Sequence, residues 1–591
     1  MKQKYRCFLN IMILFLLAGC AGGFGVKRGG VSPGWIPTEA VPSKAVAVCT
    51  DLGKTFSYAN TTLTSVSLVP AGTLSLPGIS DPMPEHCVVK GKMNERISKV
   101  DGKTYAIGFE MRLPTSWNGR FFYQANGGLD GMVVNAYGDI LGGGPTSNGL
   151  LKGFAVISSD AGHQMEQGSI GGGVFGIDPQ ARIDYGYNAV AQLTPMAKNL
   201  IKTYYGKMPD KSYIVGTSNG GRHAMVAAAR FPDLYDGFLA GSPGFNLPKA
   251  AVAQLWGVKQ YAPISKTSPT TGRPDVATSF SAADLQMVGE TILKKCDALD
   301  GLTDNMVSDI KKCQLVFSID NDVSTCSGFP DGTCLTGAQK TVLAAVHAGV
   351  KNTAGQPLYT NFPWDAGISS SGWSTWKFAN STGPRDPLAV GFVFTTPSVS
   401  PAVLSGAGNT IIDFVLGFNV DTDAPNIYAT NSTYTESSMS FMTPPDATVL
   451  SKFVANNRKM IVVHGAADPV FSVNDTINWY EGFRARYGNS ATDMARLFVV
   501  PGMSHSRGGP ATDQFDMMDA LVNWVERGIA PNAITAKARG KGAVIPAAVN
   551  TEVPSSWSPG RTRPLCAYPE VPKYKGSGDI EAASSFSCVI P

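Results

Sequence analysis

The sequence predicts an α/β fold in which a large domain is inserted between two parts of one sheet. Between about residues 104 and 245, short apolar runs typical of buried strands alternate with loops and helical stretches. The same alternation resumes after residue 459. The segment between differs in composition, since it is rich in Ser, Thr, Pro, Gly and Trp and carries four cysteines. Alternating strands and helices indicate a largely parallel sheet.

Residues 35–246 form the first part of the predicted core. Its strand-like runs lie at 105–111, 120–123, 154–158, 213–215 and 237–240, and its helical stretches at 187–205 and 219–230. The second part, residues 449–591, has strand-like runs at 459–463 and 497–500 and an amphipathic helix near 513–527. Because two halves of one sheet cannot fold as separate units, we interpret residues 247–448 as an inserted lid domain.

The N-terminus has the pattern of an export signal. Basic residues precede a short apolar stretch at 8–17, which is too short to span a bilayer. The segment ending at Cys20 is similar to a bacterial lipoprotein signal, and Ala21 favours sorting to the outer membrane. We expect residues 1–19 to be removed, Cys20 to be acylated and residues 20–34 to act as a flexible tether. An ordinary signal peptide is the alternative.

Composition and charge limit the function classes. The chain has 591 residues, of which 43% are hydrophobic and 16% charged, so it can build a large core. Its net charge of +4 is spread out, without a basic run after the first few residues, which argues against a nucleic-acid partner. We expect a monomeric, exported outer-membrane lipoprotein, periplasmic or at the cell surface, that contacts the membrane only through its lipid.

Eight cysteines remain when Cys7 in the signal and Cys20 at the lipid site are set aside. An even number in an oxidising compartment favours disulfides. Pairing between neighbours in the chain would join Cys49 to Cys87, Cys296 to Cys313, Cys326 to Cys334 and Cys566 to Cys588. No C-x-x-C motif occurs, so zinc and thioredoxin-type redox sites have no support.

Ser218 is the first candidate for a catalytic nucleophile. The segment Gly216-Thr217-Ser218-Asn219-Gly220 follows an apolar run and precedes an Ala- and Met-rich helical stretch. In this strand-turn-helix setting, G-x-S-x-G is the nucleophile elbow, whose two glycines allow the sharp turn that exposes the serine. The alternative is a glycine-rich turn without catalytic function.

A serine nucleophile needs a base and a carboxylate that orients it. Asp468 follows the apolar run 459–463, and His505 follows the run 497–500, in the chain order serine, acid, histidine. Either residue alone could be an ordinary loop residue, but their joint placement favours a triad. We interpret the other histidines as structural, although His223 is a competitor by proximity. They lie at positions 86, 163, 223, 347 and 464.

The oxyanion of an acyl-transfer reaction needs two N–H donors. The backbone N–H of Asn219 is the first candidate, and Gly128, in the loop after the run 120–123, is the second. For Gly128 a simple glycine turn is the alternative. Together these features predict an α/β-hydrolase fold with a large inserted lid domain.

The motifs resemble the tannase and feruloyl esterase family. The resemblance rests on Gly-Thr-Ser-Asn-Gly-Gly-Arg at 216–222, Cys-Asp-Ala-Leu-Asp-Gly at 296–301 and segments 118–122, 231–237, 241–244, 464–465, 500–503 and 563–566. It implies a secreted serine esterase acting on a small aromatic acid ester. Within the family the likeness is greatest to members that hydrolyse mono(2-hydroxyethyl) terephthalate. Plant feruloyl or galloyl esters are the alternative, and a lipid-anchored binding protein without activity is a further one.

The resemblance also implies a structural Ca²⁺ in the lid. Its ligands would be the carboxylates of Asp297, Asp300 and Asp304 and the carbonyls of Leu302 and Met306. Carboxylate and carbonyl oxygens are the ligands that Ca²⁺ prefers. Judged from the residues alone, the same segment is a solvated acidic turn.

Two departures from the family pattern are visible. Family members usually carry a disulfide between the residue before the nucleophile and the residue after the catalytic histidine, and here Thr217 and Ser506 occupy those places. We therefore expect an active enzyme whose histidine loop is less firmly held. The second departure concerns the substrate site: Trp376 and Phe471 match aromatic positions, but the segment after Trp376 diverges. Arg385 could bind a substrate carboxylate there or merely pair with Asp386.

Overall fold

The computed structural model describes residues 37–165, 172–328, 331–405, 408–543 and 549–591. The predicted signal, Cys20 and the tether lie outside these residues. No helix within the described ranges has the length and apolar character needed to cross a membrane.

Strands and helices alternate through most of the described chain. The strands are β1 Ser43–Lys44, β2 Thr61–Val69, β3 His86–Ile97, β4 Thr104–Pro114, β5 Ser116–Trp117, β6 Arg120–Ala125, β7 Ala155–Ser159, β8 Lys211–Thr217, β9 Gly237–Gly241, β10 Lys266–Thr267, β11 Pro274–Asp275, β12 Lys459–Gly465, β13 Ala495–Val500, β14 Ala533–Lys537, β15 Thr562–Cys566, β16 Val571–Tyr574 and β17 Phe586–Val589.

The α-helices are α1 Leu52–Thr55, α2 Pro179–Ile183, α3 Ala189–Tyr205, α4 Asn219–Arg230, α5 Leu247–Tyr261, α6 Ala282–Cys296, α7 Ile310–Val316, α8 Ile319–Asp322, α9 Gly337–Ala348, α10 Ser371–Ser374, α11 Arg385–Leu388, α12 Thr410–Gly417, α13 Ser438–Phe441, α14 Ser451–Ala455, α15 Val473–Tyr487 and α16 Met517–Arg527. π-Helical turns lie at Asp184–Asn188, Thr375–Asn380 and Ala389–Phe394. Helix α16 begins later than predicted because the Asp516 carboxylate caps it, accepting the Asp519 N–H.

One nine-stranded sheet has the order β13-β12-β9-β8-β6-β7-β4-β3-β2. Neighbours from β13 to β7 pair in parallel, whereas β4, β3 and β2 continue the sheet antiparallel. The prediction of a largely parallel sheet is confirmed for the core strands. The antiparallel strands β2 and β3 were missing from the sequence prediction, and their positions precede the first run that we assigned.

Strands β9 and β12 are parallel neighbours although residues 242–458 separate them in the chain. The described residues of that segment supply no strand to the large sheet, since β10 and β11 pair only with each other. The α/β fold with two core parts in one sheet is therefore confirmed. The lid boundaries at residues 247 and 448 stay a prediction.

The central strands are buried on both faces. Along β6, Phe121 and Tyr123 pack into the apolar cluster on one face, and Phe122 packs into the cluster on the other. Residues of β8 and β12 alternate in the same way. This two-sided burial is typical of parallel strands covered by helices, and it holds the strand ends in fixed positions.

Within the described part of the chain, four disulfides join Cys49 to Cys87, Cys296 to Cys313, Cys326 to Cys334 and Cys566 to Cys588. The predicted pairing is confirmed. Disulfides of this kind are consistent with an exported protein.

Candidate active site

Ser218 lies between β8 and α4 in a strained backbone conformation, with φ 63° and ψ −123°. The flanking glycines allow this turn. A Cβ at Gly216 would lie 2.6 Å from the Ala125 carbonyl oxygen, and one at Gly220 would overlap the same oxygen. The Ser218 N–H donates to the Gly241 carbonyl at 2.8 Å. The local sequence therefore forms a nucleophile elbow at the end of a buried strand.

The structure brings Ser218, His505 and Asp468 together. The His505 Nε2 atom lies 2.8 Å from Ser218 Oγ, and His505 Nδ1 lies 2.7 Å from Asp468 Oδ2. Ser218 follows β8, Asp468 follows β12, and His505 follows β13, so all three side chains come from strand ends. In this arrangement the imidazole can accept the serine proton while the carboxylate orients its ring.

The Asp468 carboxylate is buried and fully occupied. Its Oδ1 atom accepts the N–H groups of Val470 and Phe471 at 2.8 and 3.1 Å. Burial alone would raise the pKa of Asp468, but the charge of His505 and the hydrogen bonds from His464 and His505 hold that pKa well below its usual range. The acid is therefore ionised throughout the neutral pH range.

His464 is a site residue that the sequence interpretation missed. Its Nε2 atom lies 3.2 Å from Asp468 Oδ2 and 3.0 Å from the Phe471 carbonyl oxygen, and its Nδ1 atom contacts Thr476 Oγ1 at 2.9 Å. The ring thus supports the acid loop from behind. The sequence did carry one signal for this contact, since His464 lies near the end of a strand and four residues before Asp468.

The predicted oxyanion donors line the same cleft as Ser218. Gly128 has a φ of 64°, a conformation that favours glycine, and its carbonyl accepts the Tyr185 hydroxyl at 3.2 Å. The preceding Gly127 packs against the nucleophile, since a Cβ there would lie 3.7 Å from Ser218 Cβ. Asn219 begins α4, so its N–H is one of the unpaired donors at a helix N-terminus.

A cleft opens in front of Ser218. Its walls are mainly apolar and come from both the core and the predicted lid, which suits a small organic ligand. The apolar lining residues are Leu129, Leu247, Ala250, Ala251, Ala389, Phe394, Val470 and Phe471. Gln254, Arg385 and Asp386 add polar groups.

Trp376 and Phe471 both contact the ring of His505, edge-on, with ring centroids 5.0 and 5.4 Å apart. The Arg385 guanidinium lies over Trp376, 4.2 Å from the ring centroid, and its Nη2 atom lies 2.6 Å from Asp386 Oδ1. Arg385 therefore forms the ion pair that the sequence suggested, but in the cleft wall rather than on the outer surface. Its Nε atom is buried and has no hydrogen-bond partner.

Gln254 on helix α5 connects the predicted lid to the acid loop, a contact that no sequence pattern indicated. Its side-chain amide donates to the carbonyls of Pro469 and Val470, both at 3.0 Å. Lys377 Nζ donates to the other end of this side chain at 3.4 Å. Burial lowers the pKa of Lys377 to about 7, although the charges of Asp468 and Asp386 raise it.

Thr217 and Ser506 lie against each other beside the nucleophile. The Thr217 hydroxyl donates to Ser506 Oγ at 2.8 Å, and the Ser506 N–H donates to Ser242 Oγ at 3.2 Å. A hydrogen bond therefore stands at the position where the family resemblance implies a disulfide.

The predicted calcium loop follows helix α6. Both Asp297 oxygens accept backbone N–H groups from residues 304–306, and Asp304 Oδ2 is paired with Arg563. Among the described residues no group of three or more His, Cys, Asp or Glu side chains is arranged to hold a metal ion. The Asp304 Oδ1 atom, however, is buried without a hydrogen-bond partner. This orphaned carboxylate oxygen and the hard-oxygen chemistry of the loop fit Ca²⁺.

A family model described as "Tannase and feruloyl esterase" matches residues 87–589. A mono(2-hydroxyethyl) terephthalate hydrolase from Piscinibacter sakaiensis is 39% identical over 536 residues, covering 86% of this chain and 85% of that protein. A probable feruloyl esterase from Arthroderma benhamiae is 28% identical, covering 80% and 81%.

The solved structure of feruloyl esterase B from Aspergillus oryzae matches with a TM-score of 0.70 at 24% identity, covering 92% of this chain and 99% of that chain. A tannin acyl hydrolase from Aspergillus niger matches with a TM-score of 0.63 at 21% identity, covering 93% and 96%. At these identities the two structures support the fold alone.

Proposed function

Because the chain belongs to the tannase and feruloyl esterase family, we propose that it is a serine carboxylesterase acting on esters of small aromatic acids. The hydrogen-bonded series Ser218–His505–Asp468, which faces an apolar cleft, carries this proposal. A binding protein without activity would have no need for a strained serine within reach of an oriented imidazole.

The proposed reaction has two acyl-transfer steps. His505 Nε2 takes the proton of Ser218 as Oγ attacks the ester carbonyl, and the N–H groups of Gly128 and Asn219 stabilise the oxyanion. The protonated imidazole then donates its proton to the departing alcohol. In the second step His505 activates a water molecule that releases the acid from Ser218. Asp468 stays ionised and stabilises the imidazolium.

For the substrate we propose mono(2-hydroxyethyl) terephthalate, which would yield terephthalate and ethylene glycol. The relative with 39% identity is named for this activity, and the cleft combines aromatic and apolar walls with the Arg385 guanidinium. In this proposal Trp376 and Phe471 contact the substrate ring and Arg385 binds its free carboxylate. A feruloyl or galloyl ester is the second candidate, because other relatives are named as probable feruloyl esterases.

We also propose that Asp297, Asp300, Asp304 and the carbonyls of Leu302 and Met306 hold a structural Ca²⁺. The ion would neutralise the carboxylates and join the loop to the neighbouring disulfide of Cys296. Acylation of Cys20 would tether the protein to the outer membrane. Cys20→Ser should then release the protein from the membrane fraction, and continued membrane association would contradict the anchor.

A substrate panel tests the proposed activity. Mono(2-hydroxyethyl) terephthalate, methyl ferulate, methyl gallate and p-nitrophenyl acetate are assayed with the unmodified protein and with Ser218→Ala. We expect turnover of at least one aromatic ester and a loss of at least about 10³-fold in Ser218→Ala, with terephthalate binding retained.

Ser504→Ala is the matched control, because the Ser504 hydroxyl is buried beside His505 and has no hydrogen-bond partner. This variant should keep the full rate. Absence of turnover on every ester, or full activity in Ser218→Ala, would reject the proposal.

A further inference from the structure

A buried polar cluster lies behind the two proposed oxyanion donors and takes no part in the proposed proton transfers. It contains Asp130, the Asn219 side chain, Arg222 and His223, all of which are almost fully buried. Asn219 Nδ2 donates to Asp130 Oδ1 at 2.5 Å, and Arg222 Nε donates to Asn219 Oδ1 at 2.6 Å. The Asn219 amide is therefore held at both ends.

The loop that carries Gly128 is conformationally strained. Asp130 has a φ of 45°, which is uncommon for a residue with a Cβ, and Gly128 and Gly131 have φ values of 64° and 79°. Such a loop keeps its shape only when its surroundings hold it. The Tyr185 hydroxyl donates to the Gly128 carbonyl, and His163 Nε2 contacts the Leu129 carbonyl at 2.7 Å. These two contacts hold the backbone of the loop in place.

Asp130 connects this loop to the nucleophile helix. Its carboxyl belongs to the loop that presents Gly128, and the hydrogen bond from Asn219 Nδ2 ties it to the first residue of α4. Asp130 Oδ2 also lies 3.4 Å from His223 Nε2, one turn further along that helix. The two proposed N–H donors, which belong to different segments of the chain, are thus joined by one side-chain contact.

Arg222 holds the other end of the Asn219 side-chain amide. Its guanidinium donates to the carbonyls of Gly186 and Tyr185 at 2.7 and 2.9 Å, in the segment whose Tyr185 hydroxyl also holds Gly128. The hydrogen bonds therefore form a closed ring. They run from Asp130 in the loop to Asn219, from Asn219 to Arg222, and from Arg222 through Tyr185 back to Gly128 in the loop. Because the buried polar groups of this ring find their hydrogen-bond partners in one another, we expect removal of one member to displace the others.

We propose that Asp130 is a positioning residue that sets the separation of the Gly128 and Asn219 N–H groups, and so the fit of the oxyanion hole. This inference rests on the proposed esterase function. Stabilisation of an oxyanion requires donors aimed at the atom before the reaction, and a small displacement of one donor loses much of the effect. Ground-state binding of the ester does not need this alignment, so kcat and KM should respond differently.

Asp130→Ala, Asn219→Ala and Asp130→Asn test the proposal on the best ester of the panel. The two alanine variants should lower kcat by about 10- to 100-fold with KM within about twofold of the parent. The double variant should be no slower than the slower single variant, because both changes break the same hydrogen bond. Asp130→Asn should restore most of kcat, since its amide oxygen can accept the Asn219 N–H and Asn tolerates a positive φ.

Inhibition by phenylboronic acid, which forms a tetrahedral adduct with a serine nucleophile, gives a readout that general loosening would not produce. Its Ki should rise by the same factor by which kcat falls. Asp233→Ala is the control, because it removes a carboxyl–amide hydrogen bond with Asn456 beyond the C-terminal end of the same helix. That variant should leave kcat and Ki unchanged.

An unchanged kcat in Asn219→Ala, equal losses in Asp130→Asn and Asp130→Ala, or additive losses in the double variant would overturn the proposal. If Asp130→Ala does not fold, Asn219→Ala removes the same bond from the helix side and decides the question. Failure of the esterase proposal itself is distinguishable, because the parent protein would then hydrolyse no ester of the panel.

Discussion

The core and the predicted lid contribute to one cleft in different ways. The core supplies Gly128, Ser218, Asp468 and His505 from the ends of strands β6, β8, β12 and β13, with β9 between β8 and β12 in the sheet. The lid supplies Trp376 and, at the start of a short helix, Arg385 from segments with π-helical turns. Groups on a two-sided, buried sheet are held rigidly, whereas irregular helical turns can change without disturbing the sheet. We therefore expect core substitutions to change the rate of the chemistry and lid substitutions to change substrate choice.

Asp468→Asn should give the largest effect and tests the core side of this comparison. The substitution removes the charge that stabilises the imidazolium and orients the wrong tautomer, so kcat should fall by about 10³- to 10⁴-fold. KM should change little. Steady-state kinetics on the best ester provide the measurement, and a variant that raises KM while keeping kcat would place the acid outside the chemistry.

Arg385→Ala tests the lid side. We expect kcat/KM for mono(2-hydroxyethyl) terephthalate to fall by about 10- to 100-fold relative to the neutral bis(2-hydroxyethyl) ester, because the variant loses the charge that would face the substrate carboxylate. Arg273→Ala is the control, since Arg273 forms an exposed ion pair with Asp413 in the same region. Equal losses on the charged and neutral esters would show that Arg385 has only a structural role.

Thr217→Cys combined with Ser506→Cys tests how firmly the core holds its histidine. A disulfide in place of the hydroxyl pair should stabilise the folded state by about 2–4 kcal/mol, because it closes a long loop in the unfolded chain. The melting temperature should rise by about 2–3 °C and return to the parent value with reductant. Thr217→Cys alone serves as the control. An unchanged or lower melting temperature in the oxidised double variant would contradict this expectation.

Chelation tests the proposed Ca²⁺ separately from the chemistry. Removal of Ca²⁺ with EDTA should lower the melting temperature by several degrees, and added CaCl₂ should restore it, because an ion that binds only the folded state stabilises it. Asp300→Asn should abolish the response, and Asp331→Asn, at an exposed position of the lid, should keep it. At temperatures well below unfolding kcat should be retained. A melting curve that does not respond to EDTA and Ca²⁺ would reject the proposed ion.

Lys377→Met should give the smallest effect, and its sign depends on pH. Burial holds the pKa of Lys377 near 7, below its ordinary value of 10.5, so between these two pH values the unfolded chain binds more protons than the folded protein. Stability therefore rises with pH across this window, and the cost of burying the charge is greatest below pH 7. The variant should melt about 2 °C above the parent at pH 6, with the difference fading toward pH 10. A difference that grows with pH would contradict the assignment.

The sequence predicted the core part of the site because its signals are local. The glycines around Ser218 are required because a side chain at either position would clash with neighbouring backbone, and they lie within a five-residue motif. Asp468 and His505 each follow a recognisable apolar strand. The contacts of Gln254 and Lys377 could not be predicted in the same way. Gln254 meets the acid loop across more than 200 residues of chain, and no local periodicity encodes such a contact. For Arg385 the ion pair with Asp386 was one of two sequence-based alternatives, but its location in the cleft wall was not predicted.

The strands of the large sheet are synthesised in an order that differs from their order in the sheet. β12 and β13 occupy one side of the nucleophile strand, yet they emerge from the ribosome only after the whole inserted segment. His505 lies 287 positions after Ser218 in the chain. Ser218 is therefore synthesised long before the imidazole of His505 can contact its hydroxyl. On the proposed mechanism, the nascent polypeptide cannot hydrolyse an ester until the second core part, which carries β12 and β13, has docked.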